Sequence, residues 1–383
     1  MNILFTNNTL HHRAGSELVV VELARALQQR GHRVAAYSTN VGEVGDLLRH
    51  MSIPVIRNPQ ACPFVPDLIH GQHHLDAIAA LCAFPGVPMI YHCHGYLPWV
   101  EMPPQHPRIQ RYVGMCEVIS ERIRIELALP DTAVVTVPNW VDTRRFRVVR
   151  EPAVVPRRAL LFQRDCNPSS WHAQQLRLAF FLAGIRLDLQ LPAGGSRSPE
   201  VVLPDYDIVL ASGRSAIEAM ACGCAVMPYH PTSCLDFVGP DNFEAMQAQN
   251  FSPRLHSAQI CRRSVAACLA RYNPESAAAV TARIRSHCSL DVAVQQLESL
   301  YRETIAVAVS QVKPNNALVE REMIALSCYL RTLKPLVSEY DRLKQDHQRL
   351  KDRWDALHDH PVRQLVRVLR WLQRRLRRIF SSQ

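Results

Sequence analysis

The sequence lacks the short motifs that would assign a common hydrolase or metalloprotein class at once. Its 383 residues contain no Gly-x-x-x-x-Gly-Lys-Ser/Thr loop, no Gly-x-Ser-x-Gly turn and no His-Glu-x-x-His pair, which disfavours a P-loop nucleotidase, a serine hydrolase and a zinc protease. The 12 cysteines never occur as Cys-x-x-Cys, so their spacing matches neither a zinc site nor a disulfide framework. No apolar run reaches the roughly 18 residues that a membrane-spanning helix needs.

The same absences predict a compartment. Most cysteines lie inside apolar runs, where a free thiol behaves as a small hydrophobe, and this usage fits the reducing cytosol. The chain begins with the strand-like run Met1–Phe5 and no basic leader, so no signal peptide is predicted. We therefore expect a cytoplasmic protein, with a peripheral position at the inner face of the membrane as a further expectation from its tail.

Positive charge is in excess but is unevenly distributed. Lys and Arg total 44 against 34 Asp and Glu, which gives a formal charge of +10. Seven Arg and no acidic residue fall within residues 361–383, so the rest of the chain is nearly balanced. This distribution argues against a globular nucleic-acid-binding face, and no nucleic-acid partner is predicted.

Strand-like and helical patterns alternate along most of the chain, which indicates βαβ units and parallel sheets. Residues 1–149 form a first alternating region, and a proline-containing linker follows at 148–157. A second region, 158–309, has four clear strands and then mostly helices, and residues 316–383 continue as helix. The sequence predicts an α/β fold with two Rossmann-like domains, a central cleft and a C-terminal α-helical extension.

Apolar residues in the extension recur with heptad spacing. They are Leu326, Leu330, Leu333, Val337, Tyr340, Leu343, Leu350, Trp354 and Leu357. This pattern predicts a coiled coil over 323–357 that joins two copies into a homodimer, although Pro335 interrupts it. A helical hairpin packed on the body is the alternative.

The end of the chain predicts an amphipathic helix. Leu365, Leu369, Leu372, Leu376 and Ile379 repeat at steps of four and three, and the seven Arg fill the remaining arc. Such a helix can lie in an anionic membrane interface. A solvated helix docked on the body, or an RNA-contacting arm, would show the same pattern.

The strongest local candidate for a site is the turn that follows the predicted strand Tyr206–Leu210. Gly213 allows a tight turn into a helix, whose first turn offers unpaired backbone N–H groups and a positive dipole end. Arg214 adds charged donors there, and Glu218, one turn further, can accept from ribose hydroxyls. Together these groups suit a diphosphate, although an ordinary strand-to-helix turn has the same pattern.

Two other segments carry polar side chains at strand ends. Gly15, in the turn 11–17, would permit close approach to a phosphate or sugar, although a plain turn is the favoured explanation of a lone glycine. His92 and His94 share one face of a strand while Cys93 points away, so His-Cys-His is not a chelating triple and no metal site is predicted. A hydrogen-bonding role for His94 at the strand end is favoured.

Four segments, in order and spacing, resemble glycosyltransferase family 4. Residues 134–146 (Val-Val-Thr-Val-Pro-Asn-Trp-Val-Asp-Thr-Arg-Arg-Phe) resemble its hydrophobic–Pro-Asn-Gly-Val-Asp–x-x-x-Phe signature. Residues 13–17 resemble its N-terminal glycine loop, and 88–95 resemble its strand that ends in His-Gly. Residues 213–226 resemble the second half of its Glu-x7-Glu motif. The resemblance covers roughly residues 1–230 and does not cover the tail.

The resemblance implies a GT-B fold with an acceptor-side domain at 1–149 and a reduced donor-binding domain with crossing helices at 158–309. It implies retaining, metal-independent transfer of a sugar, of the hexosyl type, from a nucleoside diphosphate sugar to a glycan or lipid-linked acceptor, as in cell-surface glycan biosynthesis, with no further cofactor. Carried over by position, Gly15 would approach the donor phosphate, His94 would hydrogen-bond the donor and Glu218 would hold the ribose. Asn139, in the Pro-Asn motif, and Gly213 are assigned to the same donor site.

The sequence also departs from the family pattern. Leu210 stands where the family has the first Glu of Glu-x7-Glu, and Trp140 stands where it has Gly. The family's Arg and Lys after the first strand of the second domain are not evident, and Arg164 is only near their spacing. Either Arg214 substitutes for these groups, or the chain is a catalytically silent GT-B scaffold that assembles through its coiled coil. An epimerase or phosphorylase on the same fold is a third interpretation.

Overall fold

The computed structural model describes residues 1–95, 99–162, 170–189, 198–230, 233–234, 236–252, 260–311 and 316–358. The chain divides into two compact units, Met1–Pro314 and Asn315–Gln383. The predicted tail helix at 361–383 and the candidate Arg164 lie outside the described residues. The first unit carries both sheets and is described first.

The first part of the larger unit is an alternation of strands and helices around a parallel sheet. Its elements are β1 (Asn2–Thr6), β2 (Thr9–Leu10), α1 (Gly15–Gln29), β3 (Arg33–Tyr37), β4 (Asn40–Val41), α2 (Glu43–His50), β5 (Val55–Ile56), β6 (Leu68–Gly71), α3 (His74–Ala83), β7 (Met89–Cys93), β8 (Ile109–Gly114), α4 (Glu117–Leu127) and β9 (Val134–Thr136). Seven strands form one parallel sheet in the order β5-β3-β1-β6-β7-β8-β9, and β2 and β4 pair separately.

A second, smaller sheet follows the linker. Its elements are β10 (Arg158–Leu161), α5 (Trp171–Leu182), β11 (Arg186–Asp188), α6 (Pro199–Val202), β12 (Ile208–Ala211), α7 (Gly213–Ala221), β13 (Ala225–His230) and β14 (Ser233–Cys234). The strand order is β11-β10-β12-β13-β14. The four predicted strands are present and parallel, and the two-residue β14 adds an antiparallel edge.

The remaining helices of this unit close the fold. They are α8 (Phe243–Ala248), α9 (Arg262–Leu269), α10 (Pro274–His287) and α11 (Leu290–Gln311). Helix α11 returns to the first sheet, because Val294, Leu297 and Tyr301 are buried in the same core as Phe5 of β1. The C-terminal part of the unit therefore completes the core of the N-terminal part, which fixes the two sheets in one body.

Burial explains where the strands form. Strands β1, β6, β7 and β12 are short, mostly apolar segments that are almost entirely buried, as expected for parallel strands covered on both faces. Helix α1 buries Val19, Val20, Leu23 and Leu27 against the sheet. The structure also contains α2 and α6, which the sequence patterns did not predict because both helices are short.

The second unit contains the helix α12 (Asn316–His358), which is 43 residues long and has Pro335 inside it. Leu330, Tyr340, Leu343 and Leu350 are each more than half exposed on it. Among the described residues, no helix combines the length and the apolar character needed to cross a membrane.

Candidate functional site

A cleft of about 1230 Å³ lies between the two sheets. One wall is the start and one face of α1, with Gly15, Leu18, Glu22 and Arg25. Further lining residues come from the end of β10, from α6 and from the start of α7, namely Leu161, Phe162, Ser198, Glu200, Ser212, Arg214, Ser215 and Glu218. This is the edge at which ligands of open parallel sheets usually bind, beyond the carboxyl ends of the strands.

Gly15 is the first residue of α1, and no side chain caps this helix. A β-carbon built on Gly15 would meet no protein atom within 4 Å, so the space beside it is open. The unpaired N–H groups of a first helical turn and the helix dipole attract anions. The structure leaves open space at Gly15, and the close approach of a phosphate or sugar there stays a prediction.

Arg214 joins the two walls of the cleft. Its Nη2 donates to Oε1 of Glu22 on α1, and its Nε donates to Oε1 of Glu218 on α7 at 2.9 Å. The side chain is only 13% exposed. Burial alone would lower the pKa of Arg214, but the two carboxylates raise it, so the guanidinium stays charged. Arg214, the side chain predicted to donate hydrogen bonds to a diphosphate, is therefore already paired with two carboxylates.

Glu218 is the second carboxylate bound to Arg214. It is 7% exposed, and burial raises its pKa, while Arg214 partly offsets that rise. The charge of Glu22 also raises the pKa of Glu218. Glu218 faces the cleft, as predicted for a group that accepts from hydroxyls, but its Oε1 is engaged by Arg214.

Arg214, Glu218, Glu22 and Trp140 form one hydrogen-bonded cluster. The sequence motifs did not identify Glu22 as part of it. The indole Nε1 of Trp140 donates to Oε2 of Glu22 at 3.1 Å. Trp140, which stands where the family pattern has Gly, therefore orients the carboxylate that pairs with Arg214. A signal was present, because Leu18, Glu22 and Arg25 lie at i, i+4 and i+7 on one face of α1. Because Glu22 lies between Val21 and Leu23 in an otherwise apolar run, its carboxylate is expected to be buried and to need a charged or hydrogen-bonding partner.

Asn139 and Gly213 lie together but are not among the residues that line the cleft. Asn139 Nδ2 donates to Oδ1 of Asn250 at 2.9 Å, and the backbone N–H of Gly213 donates to the carbonyl of Asn250 at 2.9 Å. Gly213 has φ +59°, and a β-carbon there would lie 3.1 Å from Asn250 Nδ2. The tight turn predicted at Gly213 is present, and Asn250 connects it to Asn139.

His94 follows β7 and is hydrogen-bonded on two sides. Its Nε2 lies 2.9 Å from Oε1 of Gln72, and its backbone N–H donates to Oε2 of Glu101 at 2.8 Å. Burial, together with His92, lowers its pKa well below the usual value, and the charge of Arg214 adds to this. The ring is therefore neutral at pH 7. Because Gln72 Oε1 can only accept, the proton is on Nε2 and Nδ1 is an acceptor.

Glu101 binds the backbone of His94 and is itself paired with His73. Glu101 Oε1 is 3.4 Å from His73 Nε2, and His73 Nδ1 is 2.8 Å from Asn7 Oδ1. Burial would raise the pKa of Glu101, but the hydrogen bonds that it accepts from His73 and from the backbone N–H of His94 lower it to about 2. A buried, ionised carboxylate thus fixes the backbone at the end of β7.

His70 and His92, which lie near His94, are fully buried. His70 Nδ1 is 2.6 Å from the hydroxyl of Tyr301, and His70 Nε2 is 3.3 Å from His92 Nδ1. The rings of His92 and His94 have centroids 4.2 Å apart. Among the described residues, no group of three or more His, Cys, Asp or Glu side chains is arranged to hold a metal ion.

The remaining departure from the family pattern has a structural explanation. Leu210 is fully buried in β12, where it packs in the core with Leu161, Phe180 and Met227. A carboxylate at this position would enter the apolar core rather than the cleft. Only Ser212 lies between β12 and α7, so no loop could carry a carboxylate from position 210 to a ligand.

Arg145 is a second cation that motif reasoning missed. Its Nε and Nη2 are each 2.8 Å from a carboxylate oxygen of Glu200, and both residues line the cleft. The hydrogen bond that Arg145 donates to Glu200 raises the pKa of Arg145. The signal available in the sequence was its place in Asp-Thr-Arg-Arg-Phe, directly after the Pro-Asn motif.

The comparisons with known proteins agree with this architecture. Residues 13–145 match the family model described as Glycosyltransferase Family 4. No curated protein matches the chain. Among solved structures, the chain is similar to a glycosyltransferase from Rickettsia africae, with TM-score 0.54, 14% identity, and coverage of 79% of this chain and 98% of that one.

Two further structures give the same picture. Anabaena HepE in complex with UDP has TM-score 0.53 and 16% identity over 79% of this chain and 100% of that one. Sucrose-phosphate synthase from Thermosynechococcus elongatus has TM-score 0.53 and 14% identity over 80% of this chain and 99% of that one. The chain therefore has the GT-B fold of glycosyltransferases and, over residues 13–145, matches glycosyltransferase family 4.

Proposed function

We propose that the protein transfers a sugar from a nucleoside diphosphate sugar to a glycan or lipid-linked acceptor. The observation that carries this proposal is the cleft in which the uncapped start of α1 at Gly15 faces Arg214 and Glu218 of α7. These groups supply backbone donors, a guanidinium and a carboxylate, which match a diphosphate and a ribose. The UDP bound to Anabaena HepE supports a uridine nucleotide as the first donor to test.

The chemistry proposed for this cleft is retaining and independent of metal. The bond between the anomeric carbon and the diphosphate oxygen breaks, the acceptor oxygen bonds to the same face of the sugar, and the acceptor proton passes to the departing diphosphate oxygen. Negative charge grows on the diphosphate, so fixed donors aimed at it lower the barrier. Arg214 and the first turn of α1 would supply them. Nδ1 of His94, which is not among the residues that line the cleft, would accept from a sugar hydroxyl that extends beyond that lining.

Donor binding in this proposal requires an exchange of partners. Arg214 is bound by Glu22 and Glu218, so an incoming diphosphate would replace at least one carboxylate on the guanidinium. Glu22 is the partner to be replaced, because Trp140 Nε1 still satisfies its other oxygen. Glu218 Oε1 would then remain on Arg214 and leave Oε2 for the ribose.

The test is nucleotide binding, measured by calorimetry and by thermal shift on a panel of nucleoside diphosphate sugars. A ligand that binds the folded protein raises its unfolding midpoint by mass action. We expect Arg214→Ala to abolish the shift. Arg283→Ala, which removes an Arg–Glu pair with Glu244 outside the cleft lining, is the matched control and should bind as the wild type. If no nucleotide binds, or if both variants behave alike, the proposal is wrong.

The second candidate function is a catalytically silent scaffold. Leu210 in the core and the engagement of Arg214 and Glu218 with each other favour it, since a cleft that satisfies its own charges needs no ligand. The two candidates differ in turnover. Transfer of sugar, or slow donor hydrolysis, that disappears in Glu218→Ala would exclude the scaffold, whereas nucleotide binding without either reaction would favour it.

A further inference from the structure

The outer face of α5 exposes large apolar side chains. Trp171 is 71% exposed, Phe181 77% and Leu182 61%, and Leu178 is 42% exposed. They lie at i, i+7, i+10 and i+11, which places them on one side of the helix. The opposite side, with Ala173, Leu176, Ala179 and Phe180, is buried in the second domain. Helix α5 therefore has two apolar faces, of which only one is used by the fold.

The charged side chains that α5 and α9 themselves carry are all basic. Arg177 is exposed on α5, and the neighbouring helix α9 begins with the exposed residues Arg262 and Arg263. The helices pack together, and the backbone N–H of Arg262 donates to Gln175 Oε1 at 3.2 Å. Neither helix contains Asp or Glu. Within the described part of the chain, none of these three Arg forms a salt bridge, whereas the nearby Arg271 pairs with Asp236.

This combination selects among the surfaces that could cover α5. The tail at 361–383 carries seven Arg and no acid, so it would bring like charge against Arg177. A second copy related by a two-fold axis would place the same basic face against itself. An anionic lipid surface has the opposite charge and an apolar interior, which accept guanidinium groups and aromatic rings together.

We propose that α5 docks on an anionic membrane surface through Trp171, Leu178, Phe181 and Leu182, with Arg177 and the start of α9 contacting the lipid headgroups. The inference rests on the exposure and charge of this helix and is independent of the activity proposed for the cleft. It adds a lipid contact on the second domain to the one that the sequence predicts for the tail.

The experiment is co-sedimentation of the full chain with vesicles of phosphatidylcholine alone and of phosphatidylcholine mixed with phosphatidylglycerol. The double variant Trp171→Ser/Phe181→Ser should weaken binding to the anionic vesicles by about tenfold or more, since each aromatic ring loses a buried apolar surface. Arg177→Gln should weaken it about fivefold, the effect expected of one charge near an anionic surface. Both variants change exposed side chains, so circular dichroism should report an unchanged fold.

The matched control is Ile125→Ser/Val154→Ser, because these side chains are as exposed as the tested pair, at 71% and 81%. It should bind the anionic vesicles as the wild type does. If the α5 variants bind as tightly as the control, with the tail supplying all the affinity, the proposal is overturned. It is also overturned if the α5 variants change the oligomeric state without vesicles, since the face would then join copies of the chain.

Discussion

At the scale of the residue, the cleft depends on how one cation is shared. Arg214 lies against two carboxylates, and with both ionised this cluster has a formal charge of −1. Buried charges cost free energy unless they are paired and hydrogen-bonded, and Trp140 supplies the remaining hydrogen bond to Glu22. The cluster is thus stable without a ligand, but its net charge opposes a diphosphate.

Glu22→Gln is therefore expected to tighten nucleotide binding. The variant keeps the shape of the side chain and removes the charge that competes for Arg214. A hydrogen bond to a charged group is worth about 1.5–3 kcal/mol, so the affinity for UDP should rise by about tenfold in calorimetry. Glu126→Gln, at an exposed pair with Arg122, should have no effect, and weaker binding by Glu22→Gln would show that Glu22 contacts the ligand instead.

Buried histidines give a second prediction, for stability against pH. Burial lowers the pKa of His70 to about 3 and the pKa values of His74 and His106 to about 4, and it also lowers those of His92 and His94. The unfolded chain binds these protons below about pH 6.5 while the folded chain does not, so acid favours unfolding. The free energy of unfolding should fall from pH 6.5 to 4, and denaturant titrations at several pH values measure it.

Single variants separate this effect from general acid sensitivity. His106→Asn should reduce the slope of unfolding free energy against pH by about 1.4 kcal/mol per pH unit, the value for one proton. The exposed His287 has no such burial, so His287→Asn should leave the slope unchanged. Equal slopes in the two variants would contradict the assignment of the pH dependence to the buried rings.

At the scale of the element, the start of α1 is the feature that the ligand would approach most closely. Gly15→Ala adds a methyl group into space that no protein atom occupies, so the fold should tolerate it and binding should not. We expect nucleotide affinity to fall by about tenfold, measured by calorimetry. Gly239→Ala also meets open space and lies outside the cleft lining, so an equal loss in this control would contradict a contact at Gly15.

The elements show how far sequence patterns reach. The parallel strands of both sheets and helices α1, α3, α4, α5 and α7 were predictable, because buried parallel strands and amphipathic helices leave strong apolar patterns, whereas the antiparallel β14 was not predicted. The pairing of Arg214 with Glu22 was not, since these residues are 192 positions apart and no local period encodes such a contact. Gly15 and Arg214 were predicted from their positions at the starts of helices, and both line the cleft. Asn139 was assigned to the site by its Pro-Asn motif, but it does not line the cleft and is hydrogen-bonded to Asn250.

At the scale of the whole molecule, the last helix of the larger unit, α11, packs against the sheet formed by the first part of that unit. Helix α11 fills the core of the first sheet, and Glu298 on it lies 2.6 Å from both Arg30 and His32. The successive helices α10 and α11 join the two sheets, because α10 packs in the core of the second sheet and α11 in the core of the first.

The predicted homodimer through 323–357 is the property of the other unit that can be tested directly. Leu343 is 56% exposed and Leu350 64% exposed, and their spacing of seven residues places both on one seam of α12. If that seam joins two copies, Leu343→Gln/Leu350→Gln should weaken dimerisation of the full chain by at least about a hundredfold, because each Leu loses roughly 1.5–3 kcal/mol of burial. Sedimentation equilibrium measures the constant. Lys344→Gln/Lys351→Gln changes the adjacent exposed positions at the same spacing and should leave it within a few-fold, so a monomeric wild type, or equal effects in the two variants, would refute the coiled coil.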